Sequence, residues 1–535
     1  MRQRIEIKQW DEFIQDYLAL SKLGCDLRLS SKIKKIIDVP VHDKRFFSHS
    51  WDNDPYFIFL QQAYLLYCKH AKKMLEAHYS QDPTQNKEIT FFTKMILEAL
   101  SPTNYPFTNP EVIAETIKTN GQNFYQGAKN FLEDLQRGAG MWQLKTADKK
   151  AFEVGKNLAT SPGNVVFQNE LFQLIQYTPK TAKNYERPIL IIPPCINKYY
   201  ILDLSPKNSF VKCLVEKNLS VFMVSWINPD KNLSETSLED YILKGVCTAI
   251  DTVKKITEQQ SINALGFCIG GTLLASTLAY YKARNNPSIH TATFLTTLID
   301  FKEVGDIAVF VNKEQLSNLE KQMAKTGYLN GNWLQSVFTA LKSNDLVWPF
   351  YINNYLYGKN PEAFDILYWN SDPCNLPKRM ATELIRDLYL DNKLCRAKSF
   401  TIKGIELDLS TVTAPCYFFS AEQDHIAPWK STYQGAEYLS SKVTFVLGGA
   451  GHIAGVINPP SQKKYYYRTH PHPTAGLSAQ QWYEEAQEQA GSWWEHWIAW
   501  IKPYSGKQCS AYLPGGGRLP ILEPAPGSYV KNSIF

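Results

Sequence analysis

A chain of 535 residues is too long for one ordinary hydrophobic core, and two domains with a large insertion are expected. With 44% apolar and 20% charged residues it has the composition of an ordinary soluble globular protein. A net charge of +6 is far too weak to argue for nucleic acid, though it would help attract a phosphate-bearing small molecule. The aromatic fraction of 13% is high and fits large apolar pockets or surfaces. The ten cysteines are scattered without a C-x-x-C pair, which speaks against a zinc site and against a disulfide scaffold. The N-terminus has no apolar h-region and no run approaches ~18 apolar residues, so no transmembrane segment is expected. A reducing, cytoplasmic compartment follows, one that suits a working thiol.

Residues 1–155 read as a mostly helical N-terminal domain. Leu18, Leu20 and Leu23 begin one amphipathic segment, and residues 57–71 are apolar around much of their circumference. Asn109 before Pro110 is a helix-start signature, N-cap then proline at the first helical position. Nothing here has catalytic spacing, and its tyrosines and histidines read as packing and surface residues.

Residues 156–535 alternate strand and helix. A hairpin is expected at 165–167 and 171–177, followed by short apolar runs at 188–192, 221–226, 262–266, 293–299, 416–420 and 443–447. Helical patterns at 238–259 and 272–281 lie between them. Such alternation implies an α/β fold with a mainly parallel sheet covered on both faces. Ligands gather at the carboxyl ends of such strands. Between about 310 and 400 the strand rhythm stops in an aromatic- and amide-rich stretch, as expected of a cap inserted over those ends. Residues 492–500 read as a helix burying tryptophans, with His496 structural.

Gly266-Phe267-Cys268-Ile269-Gly270 is the nucleophile-elbow pattern with cysteine in the serine position. A glycine-rich turn around a buried cysteine would look the same in isolation. A cysteine nucleophile needs a base, and the base an orienting carboxylate. In elbow enzymes they follow in the order nucleophile, acid, base. Asp424 follows the run at 416–420 and His452 follows the run at 443–447, in a glycine-rich loop. His425 competes with His452 and Glu422 with Asp424. His425 is expected beside the acid and Glu422 in solvent. The oxyanion hole would use the N–H of Ile269 and one from the loop after 188–192. Pro193 and Pro194 have none to donate, which leaves Cys195 or Ile196.

The box around Cys268 resembles the lipase-like box of class I poly(3-hydroxyalkanoate) synthases. So do Pro193-Pro194-Cys195-Ile196-Asn197-Lys198-Tyr199-Tyr200, Ser225-Trp226-Ile227-Asn228-Pro229-Asp230, Asp424-His425-Ile426-Ala427-Pro428-Trp429, and Gly451-His452-Ile453-Ala454-Gly455. The ending Glu523-Pro524-Ala525-Pro526-Gly527 also matches. Two positions depart: Phe267 stands where the class I box more often has tyrosine, and the segment 369–377 carries Pro373-Cys374 in its middle. The resemblance implies an α/β-hydrolase core (156–535) with an inserted cap, and a separate helical domain. It implies Cys268, Asp424 and His452 as nucleophile, acid and base, and a homodimer at the surface of polyester granules in the cytoplasm. The expected reaction is transfer from (R)-3-hydroxyacyl-CoA to a growing polyester chain. The CoA thioester is then substrate, and no separate cofactor or metal is expected. A depolymerase or thioesterase using the same triad, and a non-catalytic granule-coat protein, are the rival readings.

Overall fold

The structure is a computed structural model that describes residues 2–26, 34–40, 43–77, 82–138, 142–471, 476–516 and 519–533. The chain forms two compact units, Met1–Asp148 with Thr339–Glu362, and Lys149–Phe338 with Ala363–Phe535. The middle of the stretch expected as cap therefore clusters with the N-terminal helices, and the first division falls at Asp148 rather than at 155.

The first unit is helical, with α1 (Arg2–Asp26), α2 (Pro55–Ala77), α3 (Pro83–Ala99), α4 (Pro110–Lys118) and α5 (Gln122–Arg137). Asn109 caps α4, its side chain accepting from the N–H groups of Glu111 and Val112. Lys69 on α2 reaches Glu12 and Asp16 on α1 at 2.8 and 2.7 Å. Phe46, Trp51, Tyr64 and Leu65 form a small buried core. The returning segment joins through α5. Asn123 and Asn130 donate to the carbonyls of Leu356 and Asn354 at 2.8 and 2.9 Å, and Tyr355 donates to Asp134 at 2.5 Å. Gly127 permits this, because a Cβ there would collide with the Tyr355 carbonyl. Those amides and tyrosines carry no hydrophobic period, so their partner could not be read from the chain.

The second unit is built on an eleven-stranded sheet. In chain order its strands are β1 (Gly163–Gln168), β2 (Phe172–Tyr177), β3 (Ile189–Ile192), β4 (Val221–Trp226), β5 (Ile262–Phe267), β6 (Ile289–Leu295), β7 (Cys416–Ala421), β8 (Val443–Gly448), β9 (Tyr466–Thr469), β10 (Gln487–Ala490) and β11 (Glu523–Pro524). Their spatial order is β10-β9-β8-β7-β6-β5-β3-β4-β2-β1-β11. The six strands from β8 to β4 are parallel, and antiparallel strands extend both edges. Every residue of β3, β4, β5 and β7 is buried, as strands covered on both faces require.

The expectation at 293–299 is displaced. The strand is Ile289–Leu295, and Thr296, at φ +41°, ends it. Leu298 and Ile299 are buried in the following loop, so apolar character alone could not mark where the strand stops. Residues 296–338 and 363–415 of this unit lie between β6 and β7 in the chain. The tail helix α7 (Trp493–Ile501, with α6 the elbow helix Ile269–Ala283) buries Trp493, Trp494 and Trp497 against the core. His496 hydrogen-bonds the Tyr417 hydroxyl at 3.0 Å, and burial lowers its pKa. Among the described residues no helix is long and apolar enough to cross a membrane.

Candidate active site

Cys268 stands between β5 and α6 at φ 53°, ψ −125°, a backbone conformation that a side-chain-bearing residue rarely adopts. Its N–H donates to the Leu295 carbonyl of β6 at 2.9 Å, and the Thr297 hydroxyl donates to its carbonyl at 3.3 Å. These contacts hold the turn. Gly270 is dictated by close approach, because a Cβ there would run into the carbonyl of Ile192 at the end of β3. The loop after β3 thus lies against the start of α6. Ile269 opens that helix, so its N–H has no carbonyl a turn earlier to bond.

Asp424 lies just beyond β7 and His452 just beyond β8, 8% and 5% exposed. One Asp424 oxygen accepts from the N–H groups of Ile426 and Ala427 at 2.8 and 2.9 Å. The other meets His452 Nδ1 at 2.6 Å. Burial opposes a charge on the ring, but the Asp424 carboxylate and the Cys268 sulfur outweigh it and raise the His452 pKa to about 10. With Nδ1 given to Asp424, the hydrogen bond between His452 and Cys268 falls to Nε2. Cys268, His452 and Asp424 are therefore linked in one chain of contacts, drawn from three strand ends of one parallel sheet.

His425, the competing histidine, is half-buried in the turn after Asp424. Glu422 is not in solvent as expected. It accepts the hydroxyls of Tyr466 and Tyr483, each at 2.7 Å, and so ties β9 and the helix Ala479–Glu485 to the loop carrying Asp424. Both tyrosines lie more than forty residues away, which hid them from local spacing.

In the loop after β3, Cys195 is buried, and burial pushes its thiol well above the ordinary range, which disfavours it as a second nucleophile. Trp226 Nε1 donates to the Pro193 carbonyl at 2.9 Å, and Cys374 N–H donates to the Ile196 carbonyl at 2.7 Å. The backbone of Cys195 and Ile196 is thereby held beside the elbow through carbonyls. Phe267, the departure inside the elbow box, stacks on the His452 ring with centroids 5.7 Å apart and planes inclined at 27°. Tyr389 was not singled out by sequence. It sits close enough to Cys268 for the thiol to reinforce the upward shift that burial imposes on its phenol, and it packs edge-on against Phe301 at 4.9 Å. An apolar cavity of about 60 Å³ opens among Ile196, Trp333, Leu334, Leu376, Leu384 and Tyr389. Among the described residues no cluster of His, Cys, Asp and Glu is placed to hold a metal ion.

Residues 42–214 match the family described as the poly-beta-hydroxybutyrate polymerase (PhaC) N-terminus, and residues 188–459 match the alpha/beta hydrolase fold. The chain is 41% identical over 497 residues to a poly(3-hydroxyalkanoate) polymerase of Methylorubrum extorquens, covering 93% of this chain and 82% of that protein. It is 40% identical over 490 residues to the polymerase subunit PhaC of Rhizobium meliloti, covering 92% and 80%. It is 40% identical over 498 residues to PhaC of Cupriavidus necator, covering 92% and 83%. Similarity at this level, spanning both the helical region and the sheet that carries the cysteine elbow, means that the chain belongs to the poly(3-hydroxyalkanoate) polymerase family, a transferase built on the α/β-hydrolase fold.

Proposed function

We propose that the chain polymerises (R)-3-hydroxyacyl-CoA, with 3-hydroxybutyryl-CoA the first candidate, by covalent acyl transfer through Cys268. The observation that carries this reading is the buried Asp424–His452 pair hydrogen-bonded to a cysteine on a strained elbow. The thiol proton lies on His452 Nε2, whose raised pKa favours the imidazolium, and the sulfur attacks the carbonyl carbon of the CoA thioester. The resulting oxyanion faces the N–H of Ile269 and that of Cys195 or Ile196, each donor worth roughly 3–4 kcal/mol at the transition state. The C–S bond to CoA breaks, and His452 returns the proton to the departing thiolate. In the second half, His452 deprotonates the hydroxyl of another acyl chain. Its oxygen attacks the Cys268 thioester, an ester forms, and the cysteine thiol is regenerated. Asp424 keeps the ring in the tautomer both halves need.

A thiol suits this sequence. Thioester-to-thioester exchange is nearly isoenergetic, so the acyl group stays activated on the enzyme and the later transfer to a hydroxyl runs downhill. No resident cofactor is required, because CoA arrives and leaves as part of the substrate. The polyester product would place the enzyme at a granule surface, and we take the active form to be a homodimer. The test follows thiol release and turbidity together on purified protein with 3-hydroxybutyryl-CoA. Polymer formed in step with released CoA supports the reading, and free hydroxy acid without polymer would replace it with hydrolysis.

A further inference from the structure

Lys198 is 2% exposed, an uncommon place for an ammonium group. Its Nζ donates to the carbonyl of Asn532 at 2.6 Å and hydrogen-bonds the thiol of Cys374. Its charge also acts on Asp372, whose carboxyl burial pushes up and Lys198 holds down. Asp372 accepts in turn from the Tyr200 hydroxyl at 2.9 Å and the Ser533 hydroxyl at 3.1 Å. Trp369 Nε1 donates to the Lys198 carbonyl at 2.7 Å, and Asn197 bridges antiparallel to Pro373. Three stretches far apart in sequence meet here: the loop after β3, the strap at 369–375 and the tail at 532–533. The strap contains Pro373-Cys374, where this chain departs from the family pattern.

An N–H that is to stabilise an oxyanion must be kept free for it, so the loop bearing it cannot be anchored through that group. Pro193 and Pro194 remove two further donors. The anchors must be carbonyls and side chains, and they are: the carbonyls of Pro193, Ile196 and Lys198, each with a donor from another element, and the Lys198 ammonium. Among these four anchors the ammonium grips strap and tail together.

We propose that Lys198 is a positioning residue for the oxyanion hole, its buried ammonium clasping the strap and the tail so that the backbone of Cys195 and Ile196 stays where the thioester oxygen develops charge. The proposal rests on the acyl-transfer reading above. A charged clasp fits this task because its hydrogen bonds tolerate little displacement, whereas an apolar side chain would fill the space and let the loop slide. A shift of about 1 Å in such a group can cost on the order of 100-fold in rate.

The test compares native protein with Lys198→Met and Asp372→Asn in two reactions of the same thiol. One is the first-turnover release of CoA from 3-hydroxybutyryl-CoA, which passes through an oxyanion. The other is alkylation of Cys268 by iodoacetamide, followed on the Cys268 peptide by mass spectrometry, which forms no oxyanion. The expected result is a fall of about 100-fold in acylation, with alkylation within twofold of native. Native acylation in Lys198→Met, or an equal fall in both reactions, overturns the proposal. Should Lys198→Met fail to fold, Asp372→Asn, which keeps the ammonium and removes its countercharge, decides by the same two criteria. Native protein that alkylates at Cys268 but releases no CoA would instead overturn the acyl-transfer reading.

Discussion

At the scale of the residue, His452 feels burial on one side and the Asp424 carboxylate with the Cys268 sulfur on the other, and the second pair outweighs the first. Its pKa of about 10 lies above the ordinary imidazole value, so between roughly pH 6.5 and 10 the folded protein holds a proton that the unfolded chain has released. This contribution to stability is complete below pH 6.5 and is lost as pH rises through 10. The thermal midpoint of native protein should therefore fall across that window, and fall less steeply in Asp424→Asn. Equal slopes in the two would show that the pair is not what holds the proton. In catalysis, His452→Ala should lower first-turnover CoA release by about 10²–10⁴, and Asp424→Asn should lower it less. His425→Ala should stay near native, and loss of turnover in it alone would move the base to that ring. In Cys268→Ser the intermediate becomes an ester, so attack by a chain hydroxyl is no longer downhill and water competes. Chain extension should drop far more than acylation, with product shifting to free hydroxy acid. Polymer made at the native rate would defeat the thioester argument.

Among the elements, the join between β5 and α6 sets the geometry of the site. A Cβ on Gly270 would run into the Ile192 carbonyl of β3, so Gly270→Ala must displace either the helix start or the loop after β3. Overpacking of this kind typically costs about 1–3 kcal/mol. Denaturant unfolding should show a lowered midpoint with unchanged slope, accompanied by loss of acylation. A native midpoint together with native activity would mean that the loop yields freely. The elbow was legible from the chain because strand, turn and helix are contiguous there and glycine is required by local contact. The segment at 293–299 was misread by four residues because a fully buried strand and the buried loop after it have the same apolar character. The partners of Glu422 were not legible at all, since Tyr466 and Tyr483 reach it from other elements.

For the whole molecule, the proposed homodimer is open to direct measurement. Phe107, Ile117 and Tyr125 of the helical unit are 79%, 73% and 73% exposed, apolar area that association would remove from water. Sedimentation at rising concentration should show a monomer–dimer shift, with specific activity rising and the lag in polymer formation shortening alongside it. A monomer that is fully active from its first turnover would refute this. The sequence by itself determined the alternation of strand and helix, the elbow and the order of Cys268, Asp424 and His452. Each of these depends on neighbours within a few residues and on side-chain chemistry that spacing reveals. Only the tertiary structure decided that Thr339–Glu362 packs with the N-terminal helices, that Phe267 stacks on His452, and that Lys198 is buried between strap and tail. Those contacts join residues far apart along the chain, through amide, aromatic and charged groups that leave no periodic signature, and they exist only once the sheet has brought its strand ends together.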